Sequence, residues 1–360
     1  MSDASRARRR RRRRACGLAA FLIAMPAAGA AQPIASAAPI QRDTATTRVS
    51  TVELPLAERS AFSQPFPNDK VGSWFEGFLA IHLPIVNRYT RSLDSAYQHP
   101  SRAAWANTFT VSMLVNLRMT RETSAPVRTP SYMPRVRYQA LRTVREGRTP
   151  YVQQWIVDGT VGHYSNGQDG CLFVQQTGPD CTFAAPVPRA ELEANRRDGS
   201  FSSHYLEAGV TRRWMLLSDA NFTDDRVRVA RTTHVGLRVR DYRALSGIGG
   251  GMSRELRAVY GEPRVRLSAG RSWERNTSAG WPGQTWLEGF VEALPNRARQ
   301  VDPVRVSLEI GRSFDRLEGM GVFARLYSGQ DDYNLGFLTN LRVVYVGVSV
   351  GGEGRASFRQ

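Results

Sequence analysis

The sequence predicts an all-β protein, an antiparallel transmembrane β-barrel of about twelve strands. Three observations carry that expectation. Segment after segment alternates with a period of two between apolar and polar residues, giving each one apolar and one polar face. The chain opens on a secretory signal, which directs it out of the cytoplasm. Although 41% of the 360 residues are hydrophobic, no run has the roughly twenty apolar residues that a membrane-spanning helix needs.

Residues 1–30 read as the signal. Arg6 and Arg8 to Arg14 form its basic start, Ala15 to Met25 its apolar centre, and Ala28-Gly29-Ala30 a small-residue cleavage site. The formal net charge is +17; losing the eight arginines and one aspartate of residues 1–30 leaves +10. Lys70 is the only lysine, so the excess is carried by arginine, which suits contact with an anionic surface such as lipid phosphate. No nucleic-acid partner is expected. Residues 31–70, rich in Ala, Pro, Ser, Thr and Gln without periodicity, read as a linker or N-terminal extension. Residues 71–360 read as the barrel domain.

Within that domain the alternation repeats. Val136, Tyr138 and Ala140 interleave with Arg135, Arg137 and Gln139; Val304, Val306, Leu308 and Ile310 oppose Arg305, Ser307, Glu309 and Gly311. Residues 235–240, 264–269 and 320–327 follow the same rule, with turn signals at 245–251 and 276–283 between them. No helix of normal length is expected; residues 189–197 (R-A-E-L-E-A-N-R-R) are the one helical-looking piece. A soluble sandwich would bury its apolar faces together, whereas a membrane barrel turns them to lipid around a polar, ion-paired interior. The signal and the charged second face favour the barrel in the outer membrane.

One stretch carries chemistry. Residues 160–167 read T-V-G-H-Y-S-N-G, and on a strand His163 and Ser165, two apart, leave the same face. A hydroxyl nucleophile needs a neighbouring base, which this pair supplies. Asn166-Gly167 is a positive-φ dipeptide expected to end the strand in a tight turn at a rim. A hairpin end carrying one His and one Ser by chance has the same spacing. Cys171 and Cys181, ten apart in an oxidising compartment, are expected to form a local disulfide rather than a zinc site.

Residues 162–167 resemble the H-x-S-N-G motif of the outer membrane phospholipase A family. Two further blocks carry the resemblance in the same order: residues 124–134 (S-A-P-V-R-T-P-S-Y-M-P) and 327–334 (Y-S-G-Q-D-D-Y-N). The resemblance spans roughly residues 74–350. It implies Ser165 as nucleophile, His163 as general base and the Gly167 amide as oxyanion donor. It also implies a Ca2+ cofactor held by Ser124 and by carbonyls at Gln168 and Ser200, and a calcium-dependent homodimer acting on membrane phospholipids. Two features depart from the family: about thirty-five residues separate the motif from the next strand, and His204 (in S-F-S-S-H) stands where the family has a catalytic asparagine.

The faces support the resemblance. Trp155, Val157, Val161, His163 and Ser165 share one face, as do His204, Leu206, Ala208 and Val210 on the next strand. If those faces meet lipid, the polar trio sits where it is costly, as an enzyme acting on the membrane requires. Glu207, an alternative partner for His163, falls on the lumen side. A lipid A deacylase barrel, which also uses H-x-S, and a porin-like channel are the competing readings.

Overall fold

The computed structural model describes residues 50–52, 56–66, 73–99, 101–121, 127–147, 149–218, 228–245, 248–249, 251–275, 283–314, 317, 319–351 and 356–358. The signal, residues 31–49 and Ser124 lie outside the described residues. In chain order the strands are β1 (Ser50–Val52), β2 (Ser60–Phe66), β3 (Ser73–Asn87), β4 (Ala104–Thr120), β5 (Val127–Arg145), β6 (Tyr151–Ser165), β7 (Gln176–Thr177), β8 (Thr182–Phe183), β9 (Ser202–Ser218), β10 (Arg228–Asp241), β11 (Arg264–Arg275), β12 (Gly283–Ala293), β13 (Val304–Phe314), β14 (Met320–Gln330), β15 (Asn340–Val350) and β16 (Ala356–Phe358). Among the described residues two α-helices, α1 (Tyr89–Gln98) and α2 (Arg254–Tyr260), lie between them.

Twelve strands, β2 to β6 and β9 to β15, form one closed antiparallel barrel. Closure pairs β15 with β2, Val350 opposite Ser60, and leaves no edge strand open to aggregation. Residues 60–66, read from the sequence as linker, are therefore barrel wall. A proline-interrupted seven-residue strand carries too little alternation to stand out alone.

The alternation sorts the side chains as expected. Leu79, Ile81, Leu83 and Ile85 of β3, and Val304, Val306, Leu308 and Ile310 of β13, are all exposed on the outer wall. Phe66, Trp74 and Tyr132 are exposed towards one rim, and Trp105 and Tyr151 towards the other, an arrangement of aromatic girdles fitted to two membrane interfaces. No described helix is long and apolar enough to cross a membrane. The strands supply a wall that suits lipid, as in outer-membrane barrels.

The interior is polar and filled. Arg118 pairs with Asp331 at 2.6 Å and Glu76 at 2.7 Å, Arg240 with Glu207 at 2.7 Å, and Arg266 with Glu292 at 2.9 Å. The segment leading into β2 runs among these side chains. Glu58 pairs with Arg135 and, at 3.3 Å, with Arg137, while Arg59 reaches Glu288 at 2.6 Å. Buried charges must be matched in this way, because removing one partner of such a pair costs roughly 3–5 kcal/mol.

Both ends are stoppered. At the rim where β2 begins, α1 packs Tyr89 and Leu93 onto Leu141, Val152, Ile156 and Met215. This helix corrects the expectation that none of normal length exists. Its apolar residues Tyr89, Leu93 and Ala96 follow a 4-then-3 spacing, but three positions in ten residues give a weak helical signal. At the far rim, α2 joins Phe173, Phe201, Tyr242 and Phe337 in a second apolar cluster. Ser253 caps α2, its Oγ accepting from Leu256 N at 3.2 Å, and Gly261 ends it in the left-handed conformation. Of residues 189–197, only Arg189–Glu191 coils, as a single 3-10 turn.

Candidate active site

β6 rises to the far rim and β9 descends from it, paired in a register that sets His163 directly opposite His204 and Ser165 opposite Ser202. Alternation sends all four side chains to the outer wall, while Gly162, Tyr164, Ser203 and Tyr205 turn inward and are buried. The inward neighbours fix the strand. Tyr164 donates its hydroxyl to Asp332 O at 2.8 Å and meets the Phe201 ring edge-on, centroids 4.7 Å apart. Gly162 lies under the Tyr205 ring, where an added Cβ would come within 2.2 Å of Cζ. Only glycine admits that ring at this position in the catalytic-looking strand.

The two imidazoles touch. Nδ1 of His163 lies 3.0 Å from Nδ1 of His204, with ring centroids 4.7 Å apart and planes inclined at 44°. Nε2 of His204 lies 2.8 Å from the carbonyl oxygen of Gly249. A carbonyl only accepts, so His204 carries its proton on Nε2 and offers a lone pair at Nδ1. His163 must then donate from its own Nδ1, which leaves its Nε2 unprotonated. One backbone carbonyl thereby sets the tautomers of both rings and puts the basic nitrogen of His163 on the side away from His204. Ser165 is half-buried on the same face, and its Oγ makes no hydrogen bond among the described residues. Catalytic contacts of this kind often close only with substrate present. Glu207 is occupied inside the barrel by Arg240 and Arg238, so it takes no part in orienting His163.

The turn expected at Asn166-Gly167 is instead the entrance to an excursion over residues 166–201. Gly167 has the expected positive φ, +68°, but the chain does not double back there. Asn166 clamps the base of the excursion: its Nδ2 donates to Gly199 O at 2.8 Å, and its Oδ1 accepts from Phe201 N at 2.9 Å and Gln168 N at 3.3 Å. The side chain is buried, so each bond replaces a lost contact with water. By sequence Asn166 is a turn residue; its position directly after H-x-S is the only signal for the clamp. Gly249 had no signal, since a main-chain carbonyl is anonymous in sequence.

Further out, Cys171 and Cys181 form the expected disulfide, Cα atoms 5.2 Å apart, which ties the β7–β8 turn back to the chain before β7. Phe173 anchors the excursion in the far-rim cluster against Phe337. A parallel bridge between Gly170 and Gly199, and the bond from Ser200 N to Gly170 O at 2.7 Å, bring Gln168 and Ser200 to the same loop base. Neither Gln168 O nor Ser200 O accepts a hydrogen bond among the described residues, so both remain able to meet a hard cation. No cluster of three or more His, Cys, Asp or Glu side chains is present among the described residues; the oxygen donors named from the sequence are of another kind.

The three sequence blocks also meet in space. Tyr333 donates its hydroxyl to Thr129 O at 2.7 Å, and Asn334 donates Nδ2 to Thr129 O at 3.0 Å and Ser131 Oγ at 3.1 Å. Tyr164 lies 3.4 Å from Ser131 Oγ, and Tyr132 is the strand partner of Ser165. Residues 127–134, 162–167 and 327–334 thus form one patch of far rim. No family model matches the chain, and no curated protein matches it.

Proposed function

We propose that this protein is an outer-membrane phospholipase, exported by its signal, that hydrolyses acyl esters of phospholipids through an acyl-serine. The observation that carries the reading is the outer-wall chain from His163 through His204 to Gly249 O, on the face that Ser165 shares. The Nδ1–Nδ1 contact of 3.0 Å and the Nε2–O contact of 2.8 Å supply the acceptor that a base must have behind it.

On this reading His163 Nε2 takes the proton of Ser165 as Oγ forms its bond to the ester carbonyl carbon. His204 Nδ1 holds the imidazolium that results. The resemblance assigns the Gly167 N–H to the oxyanion. His163 then returns the proton to the departing glycerol oxygen as the C–O bond breaks, and the same base activates water to release the fatty acid. The Ser124 hydroxyl and the carbonyls of Gln168 and Ser200 are oxygen donors of the type calcium prefers. When bound, that ion supplies positive charge near the developing oxyanion. A calcium-dependent homodimer belongs to the same reading.

The placement on the wall favours lipid as substrate over anything carried through the lumen, which ion pairs and two apolar stoppers fill. The test is fatty-acid release from defined phospholipids and, in parallel, from lipid A, by protein in detergent with and without a calcium chelator. Release from phospholipid that needs calcium and disappears in Ser165→Ala and Ser124→Ala is expected. Release from lipid A alone would make it a deacylase, and no release from either would remove the enzyme reading.

A further inference from the structure

We propose that His163 and His204 form a binding site for a borderline transition-metal ion, Zn2+ foremost, at the outer mouth of the barrel wall. Two Cα-paired histidines on adjacent antiparallel strands present Nδ1 atoms to one another at 3.0 Å. Zinc binds imidazole nitrogen at about 2.0–2.1 Å, so two tetrahedral nitrogen ligands sit about 3.3 Å apart. Widening the present contact by a few tenths of an ångström and turning both rings so that their Nδ1 lone pairs converge beside the N–N line admits the ion.

The surroundings already have the form that a metal-bound histidine takes. A ligating imidazole donates its other ring N–H to a fixed acceptor, which holds the ring in orientation and raises its basicity. His204 has that partner, Gly249 O at 2.8 Å from Nε2. Binding asks nothing of the His204 tautomer, whose Nδ1 lone pair is already turned to the gap. His163 must move its single proton from Nδ1 to Nε2. Ser165 and Ser202, opposite one another on the same outward face, leave room for a hydroxyl or water as the remaining ligands. Imidazole donors select Zn2+, Cu2+, Ni2+ or Co2+ over Ca2+ and Mg2+, so this site differs in chemistry from the oxygen donors of Gln168 and Ser200.

The tautomer shift has a consequence that rests on the proposed hydrolase reading. With the metal on both Nδ1 atoms, His163 Nε2 carries a hydrogen and has no lone pair for the Ser165 proton. Metal binding therefore silences hydrolysis without displacing any residue of the wall.

The experiment uses the full exported barrel in detergent. Co2+ titration followed by visible d–d absorption is expected to show one tetrahedral or five-coordinate site per chain, emptied by Zn2+. His204→Asn and His163→Asn should each weaken Co2+ binding at least tenfold. Phospholipid hydrolysis by the unaltered protein should fall with the Zn2+ midpoint found by Co2+ competition, and calcium-loaded EDTA, which exchanges calcium for zinc, should restore it. Absence of a Co2+ band, or an undiminished band in both variants, overturns the site. Binding that behaves as described in a protein without hydrolase activity upholds the site and removes the hydrolase reading. Hydrolysis indifferent to saturating Zn2+ overturns the coupling between them.

Discussion

The hydrogen bond from His163 to His204 is the most exposed point of the proposed mechanism, and its removal has a calculable effect. In the resting site both rings are neutral, and the 3.0 Å contact is an ordinary hydrogen bond worth about 0.5–1.5 kcal/mol. When His163 accepts the Ser165 proton it becomes a cation, and the same contact becomes charge-assisted, worth about 1.5–3 kcal/mol. His204→Ala removes the acceptor from both states, but the loss falls mainly on the charged one. The barrier rises by the difference between the two, about 1–1.5 kcal/mol, which slows the chemical step roughly 5- to 13-fold. KM should move little, since ground-state binding does not use the bond. His204→Asn restores a carbonyl acceptor and should recover much of the rate. Steady-state hydrolysis of a dispersed phospholipid, with kcat and KM separated across pH, makes the measurement. His204→Ala with an unaltered kcat would refute the argument, as would a His204→Asn variant no faster than His204→Ala.

Three further outcomes are expected. Asn166→Ala strips partners from Gly199 O and Phe201 N, at roughly 1–3 kcal/mol for each buried group left unsatisfied; limited proteolysis within residues 166–201 should accelerate while the barrel stays resistant, and equal cleavage rates would contradict the clamp. Cys171→Ser with Cys181→Ser removes a closed loop worth on the order of 2–3 kcal/mol, which should raise hydrogen exchange in the β7–β8 hairpin and leave that of β6 and β9 unaltered. Glu262, behind α2, has its carboxyl pushed up from 4.5 to about 7 by burial and then by the negative charge of Asp241. The native state therefore holds this proton more tightly than the unfolded chain, and the group's contribution to stability declines as pH rises from about 4.5 to about 7. Glu262→Gln should leave thermal stability unaltered at pH 4 and increase it at pH 8, by up to about 3 kcal/mol; the same change at both pH values would count against a buried, protonated carboxyl.

Period-two alternation was enough to read the class of fold, because in a strand the face a side chain occupies is fixed by its neighbours in sequence. That is why Val136 and Arg135, or Leu308 and Glu309, could be assigned to opposite sides of the wall before any coordinate was known. The same local rule placed His163 and Ser165 together and kept Glu207 inside; short spacing alone matched Cys171 to Cys181. Elements without a strong local period escaped it: β2, with Pro65 in seven residues, and α1, with three apolar positions in ten.

Register and the use of the main chain were set by long-range packing. A slip of one residue between β6 and β9 would send His204 to the lumen; the pairing depends on β9 being held by Asn166 and the far-rim cluster at the end of a long excursion. The carbonyl of Gly249, 45 residues from His204, sets two tautomers, yet every residue in the chain has a carbonyl. Sequence determined which chemical groups share a face, because that is a property of consecutive residues. Which of them meet, and in which protonation, was determined by strand register and loop return, which bring together groups far apart in the chain.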